Sequence, residues 1–273
     1  MSKLRIALVW GHHYNDKPFH THHTFFETTL NDLGIKFDRF SWHDWQAHMK
    51  PQYDLYLFID FDPSLYKLHN KRQFHPRAFL WWDSFHFSFA YPAQVTEFFD
   101  RSYFVEPNTV RALRDQGLAT VHWSPPAFYE GLFRPTNTIK DLDFTFIGQP
   151  DDTVVNHGLT RKQFVEKLSS YQYRGDNLRS FVGQGVYGND VNELYNRSRI
   201  LFDKTIYNNI GTRTGEVIGS GGFVLVNRGK VNSGLDQMAI DGHHFVGYDG
   251  SFDDFIAKFE YYLENERERD RIA

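Results

Sequence analysis

The chain has 273 residues, enough to bury a sizeable core as one large domain or two smaller ones. Aromatics make up 18% of it and charged residues 23%, a globular composition rich in large apolar side chains. A formal net charge of −4, with no long run of Lys and Arg, speaks against a nucleic acid partner. The absence of cysteine removes disulfides, thiolate metal sites and a Cys nucleophile. No apolar run reaches the roughly 18 residues of a membrane span, and the run before Gly11 and His12 is too short for a signal peptide. The expectation is a cytoplasmic protein.

In chain order, Leu4 to Trp10 is an apolar run closed by Gly11, the pattern of a buried parallel strand. A helix is expected over Thr21 to Leu33 with Gly34 as its stop, then strands at Ile35 to Trp42, Tyr53 to Phe61 and Arg77 to Asp83. Tyr91 to Arg101 has a helical pattern, Ser102 to Glu106 reads as a strand, and Asn108 as the cap of a helix through Gln116. Ala119 to Trp123 closes this half. Strands alternating with helices imply a parallel sheet with helices on both faces.

Ser124 to Thr138, with Pro125, Pro126 and Pro135, reads as a linker, which divides the chain into domains at 1–135 and 136–273. Beyond it the βα rhythm resumes. Strands are expected at Asp143 to Gly148, Arg199 to Asp203, Phe223 to Val226 and Phe245 to Tyr248. Helices are expected at Thr160 to Ser169, Asp190 to Ser198, Thr214 to Ser220 and Phe252 to about Glu268. The architecture that follows is α/β, with two Rossmann-like domains facing a cleft.

The most informative stretch is Gly211-Thr-Arg-Thr-Gly-Glu-Val-Ile-Gly-Ser-Gly-Gly-Phe-Val-Leu-Val-Asn227. Gly215 and Gly219 each cost a helix about 1 kcal/mol relative to Ala, so close approach of another group should explain them. One reading is a phosphate at the helix start, beside Arg213, with Glu216 accepting from the vicinal hydroxyls of a ribose. The other is tight packing of the helix on the sheet, with Arg213 and Glu216 pairing only with each other.

Other motifs carry less. Gly183-Gln-Gly-Val-Tyr-Gly188 fits the dinucleotide pattern, but no apolar strand precedes it and the helix starts too late, so it reads as fortuitous. Asp60-Phe-Asp62 spells a metal-binding D-x-D, with Pro63 making a turn the plainer reading. His12, His13, His20, His22 and His23 crowd one region without Cys or an H-E-x-x-H, so a zinc site is not expected. Loops after the first and fourth strands lie at the ligand-binding edge of an open sheet. Any of His12, His13, Asp83 and His86 is therefore a candidate general base for an acceptor hydroxyl, and nothing in the sequence ranks them.

Thr212-Arg-Thr-Gly-Glu-Val-Ile-Gly-Ser-Gly-Gly-Phe-Val-Leu-Val226 resembles the donor-site segment of glycosyltransferases with the two-domain GT-B fold, in particular the CgeB-like group. His122-Trp-Ser-Pro-Pro-Ala127, ending in Leu132-Phe-Arg-Pro135, resembles the link between their two domains. The resemblance implies a metal-independent transferase without a cofactor, using a UDP- or GDP-sugar and a carbohydrate, protein or small-molecule acceptor. It implies donor contacts from Gly148, Gln149, Lys204, Thr212, Arg213, Thr214 and Glu216. The pattern departs at Asn208, where the broader retaining group has a Glu, which leaves the stereochemistry open. The chain stops at Arg269-Asp-Arg-Ile-Ala273, where relatives of this type run on into further helix, so a shortened or compact form is expected. A nucleotide-sugar epimerase or hydrolase, or a non-catalytic binding module, is the alternative.

Overall fold

A computed structural model describes residues 4–10, 22–41, 45–59, 74–81, 90–155, 157–205, 210–228 and 233–273. The chain separates into two compact units, Met1–Pro125 and Pro126–Ala273.

The first unit has strands β1 (Arg5–Trp10), β2 (Lys36–Ser41), β3 (Leu55–Ile59), β4 (Arg77–Trp81), β5 (Arg101–Phe104) and β6 (Val121–Trp123). They form one parallel sheet in the order β2-β1-β3-β4-β5-β6. Its helices are α1 (His22–Asp32), α2 (Trp45–His48), α3 (Ala90–Thr96) and α4 (Pro107–Asp115). Alternate residues of a strand face opposite ways, and here both faces are buried, which is why Ile6 to Trp10 of β1 is an unbroken apolar run. Ala7 and Val9 pack with Trp45 of α2, Val95 of α3 and Leu113 of α4. Ile6, Leu8 and Trp10 pack on the other face with Leu30 of α1.

Two elements differ from the sequence expectation for local reasons. The helix expected from Tyr91 to Arg101 stops at Thr96, where the Phe98 and Phe99 amides close tight turns on the Val95 and Thr96 carbonyls; Asp100 accepts from the Arg77 amide at 2.6 Å, and Arg101 enters β5. α4 begins at Pro107 with Glu106 as its N-cap, not Asn108. Proline's fixed φ and missing N–H suit the first helical position.

The second unit has β7 (Leu142–Ile147), β8 (Gln172–Tyr173), β9 (Asp176–Asn177), β10 (Ser180–Gly183), β11 (Ser198–Asp203), β12 (Val224–Asn227) and β13 (Val246–Tyr248). Its helices are α5 (Arg161–Ser169), α6 (Asn189–Arg197), α7 (Thr212–Gly219), α8 (Leu235–Met238), α9 (Phe252–Glu264) and α10 (Glu266–Ile272). Five strands form a parallel sheet in the order β10-β7-β11-β12-β13, and β8 and β9 make a separate hairpin. Phe144, Phe202, Phe223 and Leu225 pack on one face with Phe164 of α5 and Phe255 and Phe259 of α9. The last helix, expected in one piece to about Glu268, breaks at Asn265 (φ −100°, ψ 68°), whose side-chain amide donates to the Tyr261 carbonyl at 2.7 Å.

The segment expected to be a linker packs from Pro126 onward with the second unit. Asn192 and Asn196 of α6 hold its backbone: Asn192 Oδ1 accepts from the Arg134 amide at 3.2 Å and Asn196 Oδ1 from the Thr136 amide at 2.7 Å. This places the Phe128 ring on α7. A Cβ at Gly219 would lie 2.3 Å from Phe128 Cε2, and one at Gly215 would lie 3.2 Å from Phe128 Cδ1. Phe128 is thus the close approach that these two glycines accommodate. Gly222 meets Val217 of α7 first and then Leu201 of β11.

Gly219→Ala should therefore destabilise the protein by about 1–3 kcal/mol through overpacking, although Ala is the better helix former by about 1 kcal/mol. In a Phe128→Ala background the same change should become neutral or stabilising. Urea unfolding of the four proteins measures this, and a Gly219→Ala penalty unaffected by Phe128→Ala would refute the contact.

Candidate functional site

Because the five strands of the second sheet are parallel, their C-terminal ends share one edge, where open α/β sheets bind ligands. Gly148 follows β7, Lys204 follows β11, Arg228 follows β12 and Asp249 follows β13. The α7 helix follows β11, so its N-terminus opens at this edge. Its N-cap, Gly211, has no side chain to satisfy the first amides, which in a helix lack intrahelical acceptors. Asp203, 2% exposed, fixes that start: its Oδ2 accepts from Thr214 Oγ1 at 2.8 Å. The same oxygen would lie 2.2 Å from a Cβ at Gly211.

From the first turn of α7, the half-buried Arg213 lays its guanidinium on Gly148. A Cβ there would be 2.8 Å from Nη2, and the ring of Phe146 lies 5.9 Å from Cζ. Among the described residues Arg213 has no hydrogen-bond or ion-pair partner, and it does not pair with Glu216. A second cation, Arg161, opens α5 behind a capping box between Thr160 and Gln163. It donates from Nε to the Lys204 carbonyl at 2.8 Å and from Nη1 to the Gln149 carbonyl at 3.3 Å, tying the ends of β7 and β11 together. Burial lowers the Arg161 pKa and the Arg213 charge adds to this, with Asp203 opposing. A guanidinium stays charged all the same.

One turn further along α7, Glu216 is half-buried and its Oε2 accepts from the Tyr195 hydroxyl at 3.0 Å. Tyr195 comes from α6 and is 1% exposed. Burial raises the Glu216 pKa above its ordinary value, against the opposing pull of Arg213 and the Tyr195 hydrogen bond. The edge thus combines a half-buried, unpaired guanidinium, a second guanidinium used as a brace, and a carboxylate aligned by a buried phenol.

Of the residues expected at a donor site, Gly148, Gln149, Thr212, Arg213 and Glu216 come together here. Two others are placed differently. Lys204 is 1% exposed, with its ammonium donating to the Gly250 carbonyl at 2.8 Å and lying 4.9 Å from the Phe164 ring centroid. In this arrangement its ammonium is buried against Gly250 and Phe164. Thr214 is also 1% exposed, its hydroxyl committed to Asp203, so it shapes the loop from behind. Arg161 was missed, and its signal was the Thr160-Arg-Lys-Gln163 helix start beyond β7.

A strand, β10, does precede Gly183, contrary to expectation: it is an edge strand whose side chains alternate between half-buried and exposed, so it carries no apolar run. α6 opens only after Gly188, beyond the pattern, so a dinucleotide turn is not formed. His12, His13, Asp83 and His86, with His20, Asp60 to Asp62 and Asn208, lie outside the described residues. Of His22 and His23 the structure describes only the backbone, in α1. Among the described residues no three His, Asp or Glu side chains gather around a metal position, and no helix is long and apolar enough to cross a membrane.

Two parallel sheets flanked by helices, with charged groups at the edge of the second, place the chain among the two-domain GT-B glycosyltransferase folds. The chain belongs to the glycosyl transferase-like family, whose sequence model matches residues 130–273 and so spans this whole edge. No curated protein matches it. The solved sucrose-phosphate synthase from Thermosynechococcus elongatus is similar over 99% of this chain and 92% of its own, at 12% identity and a TM-score of 0.70. Anabaena HepE in complex with UDP and glucose is similar over 98% and 92%, at 12% identity and a TM-score of 0.65. An α-glucosyltransferase in complex with UDP and a 13-mer DNA containing an HMU base is similar over 99% and 93%, at 10% identity and a TM-score of 0.64. At such identities these likenesses define the fold.

The buried ammonium yields a pH signature. Desolvation lowers the Lys204 pKa to about 8, against about 10.4 in an unfolded chain. Between those values the unfolded state holds a proton that the native state has released, so this group adds stability as pH rises from about 8 to about 10 and changes nothing below about 8. Lys204→Met should remove that component. Urea unfolding of both proteins at several pH values reads it, and identical pH slopes would contradict the buried placement.

Proposed function

We propose that this protein is a glycosyltransferase that binds a nucleotide-sugar on its second unit and transfers the sugar to an acceptor hydroxyl, without an essential metal or cofactor. The observation that carries the proposal is the Arg213 guanidinium, held on Gly148 and unpaired among the described residues, one helical turn from a hydroxyl-accepting carboxylate, Glu216. Arg213, the first amides of α7 and the Thr212 hydroxyl bind the diphosphate, with the backbone of Gly148 and Gln149 close beside it. Arg161 adds positive potential from behind. Glu216 accepts from the ribose hydroxyls.

A leaving nucleoside diphosphate gains negative charge as the glycosidic bond breaks, so fixed cations and helix amides at its phosphates favour the transition state over the ground state. The acceptor proton passes to one of His12, His13, Asp83 and His86, which follow β1 and β4 in the chain. The crystallised HepE, bound to UDP and glucose, supports a UDP-sugar as the first donor to try. Within the family we place the chain beside the CgeB-like group, on its Thr-Arg-x-x-Glu and Ser-Gly-Gly elements, and we place its reaction in the cytoplasm.

A thermal-shift screen of UDP, GDP and their hexose conjugates, with Mg²⁺ and with EDTA, tests this. A shift that persists in EDTA is expected, and no shift with any of them would overturn the proposal. Donor hydrolysis or epimerisation that is fast without an acceptor would replace the transferase by a hydrolase or epimerase, and binding without turnover would leave a binding module. Glu216→Ala should weaken binding of the selected nucleotide by about 1.5–3 kcal/mol, the range for hydrogen bonds to a charged group. Because the Glu216 pKa is raised, wild-type affinity should fall on acidification at a higher pH than an ordinary carboxylate would give. Calorimetric titration across pH measures both.

A further inference from the structure

Glu216 is a flexible side chain three residues from Arg213 on the same helix, a spacing at which opposite charges meet. Yet the two make no ion pair. What holds the carboxylate is the Tyr195 hydroxyl, which donates to Oε2 at 3.0 Å, while no described group donates to Oε1. Tyr195 itself cannot move easily. It is 1% exposed and its ring lies 6.1 Å from that of Phe133. Its helix is fastened on both sides of it: Asn192 Oδ1 accepts from Ser220 Oγ of the α7 C-cap at 2.8 Å, and Asn196 Nδ2 donates to the Arg134 carbonyl at 3.2 Å. The phenol is thus a rigid donor reaching from α6 to α7.

We infer that Tyr195 is a positioning residue whose hydroxyl holds Oε2 of Glu216 so that Oε1 is left to accept from the ribose hydroxyls of a nucleoside diphosphate. The inference rests on the ribose role proposed for Glu216 and adds what keeps that group in place. Without the hydroxyl, no described group fixes which way the carboxylate points, and Oε1 is no longer held toward the ribose hydroxyls. Among the described residues, the charged and titratable groups that act on Glu216 are Arg213 from α7, Tyr195 from α6 and Asp203 from the end of β11. Burial keeps the phenol protonated and therefore a donor throughout the working pH range.

The test compares wild type, Tyr195→Phe and Glu216→Ala by calorimetric titration. The ligands are whichever of UDP and GDP gives the larger thermal shift, and its 2′,3′-dideoxy form. Phe keeps the ring and its packing, and melting temperatures check the fold. Tyr195→Phe should lower the preference for the ribose form about five- to tenfold, the worth of one hydrogen bond. It should also move the acid loss of affinity to higher pH, since a donor that favours the carboxylate is gone. Packing alone would change neither quantity. If Glu216→Ala collapses the preference and Tyr195→Phe leaves it and the pH profile untouched, the positioning role is wrong and the Glu216 assignment stands. If Glu216→Ala also leaves the preference untouched, or neither nucleotide binds the wild type, the ribose assignment falls and this inference falls with it.

Discussion

A buried carboxylate decides where α7 begins. Asp203 sits at the end of β11 with almost no access to water, and a polar side chain in that position costs about 1–3 kcal/mol unless it is hydrogen-bonded. Thr214 supplies one hydrogen bond from inside the first helical turn, and Gly211 supplies the only kind of backbone that fits so near the oxygen. The helix is thereby docked to the strand at its first turn. The positions of Arg213 over Gly148 and of Glu216 against α6 follow from that docking and not from any attraction of their own.

The charges at this edge are divided by function. Arg161 spends its hydrogen bonds on two carbonyls and joins adjacent strand ends, while Arg213 is left with a ring and a bare backbone beneath it. Two half-buried guanidiniums close enough to affect each other are mutually unfavourable, and Arg213 opposes the charged state of Arg161. A negative charge placed beside the two would relieve that repulsion. Glu216 carries the opposite strain, a carboxylate held in surroundings that raise its pKa.

Much of this was legible in the chain. The central parallel strands announced themselves as apolar runs because both of their faces are covered, and the glycines around α7 marked close approach. The kind of approach was not legible. Whether Gly219 faces a phosphate or a phenyl ring depends on where Phe128 lands, and that depends on Asn192 and Asn196 holding a distant stretch of backbone. The surroundings of Lys204 were hidden for a similar reason: a lysine after a strand end looks like a cation for a ligand, and the Gly250 carbonyl and the Phe164 ring that it meets are brought by other elements. Arg161 escaped notice because its value comes from the carbonyls it braces. β10 escaped because an edge strand half open to water shows no apolar pattern.

The grip of α6 on the segment after Phe133 has an evolutionary corollary. Asn192 and Asn196 bind main-chain atoms of Arg134 and Thr136, which every residue type except proline offers, so those two positions can drift in sequence, proline apart, more freely than the asparagines can. Phe128 and Gly219 are bound by the opposite rule, since each limits the size of the other. Across relatives too distant for ordinary alignment, a bulky residue early in this segment should appear together with a glycine late in α7, and a small one should release it.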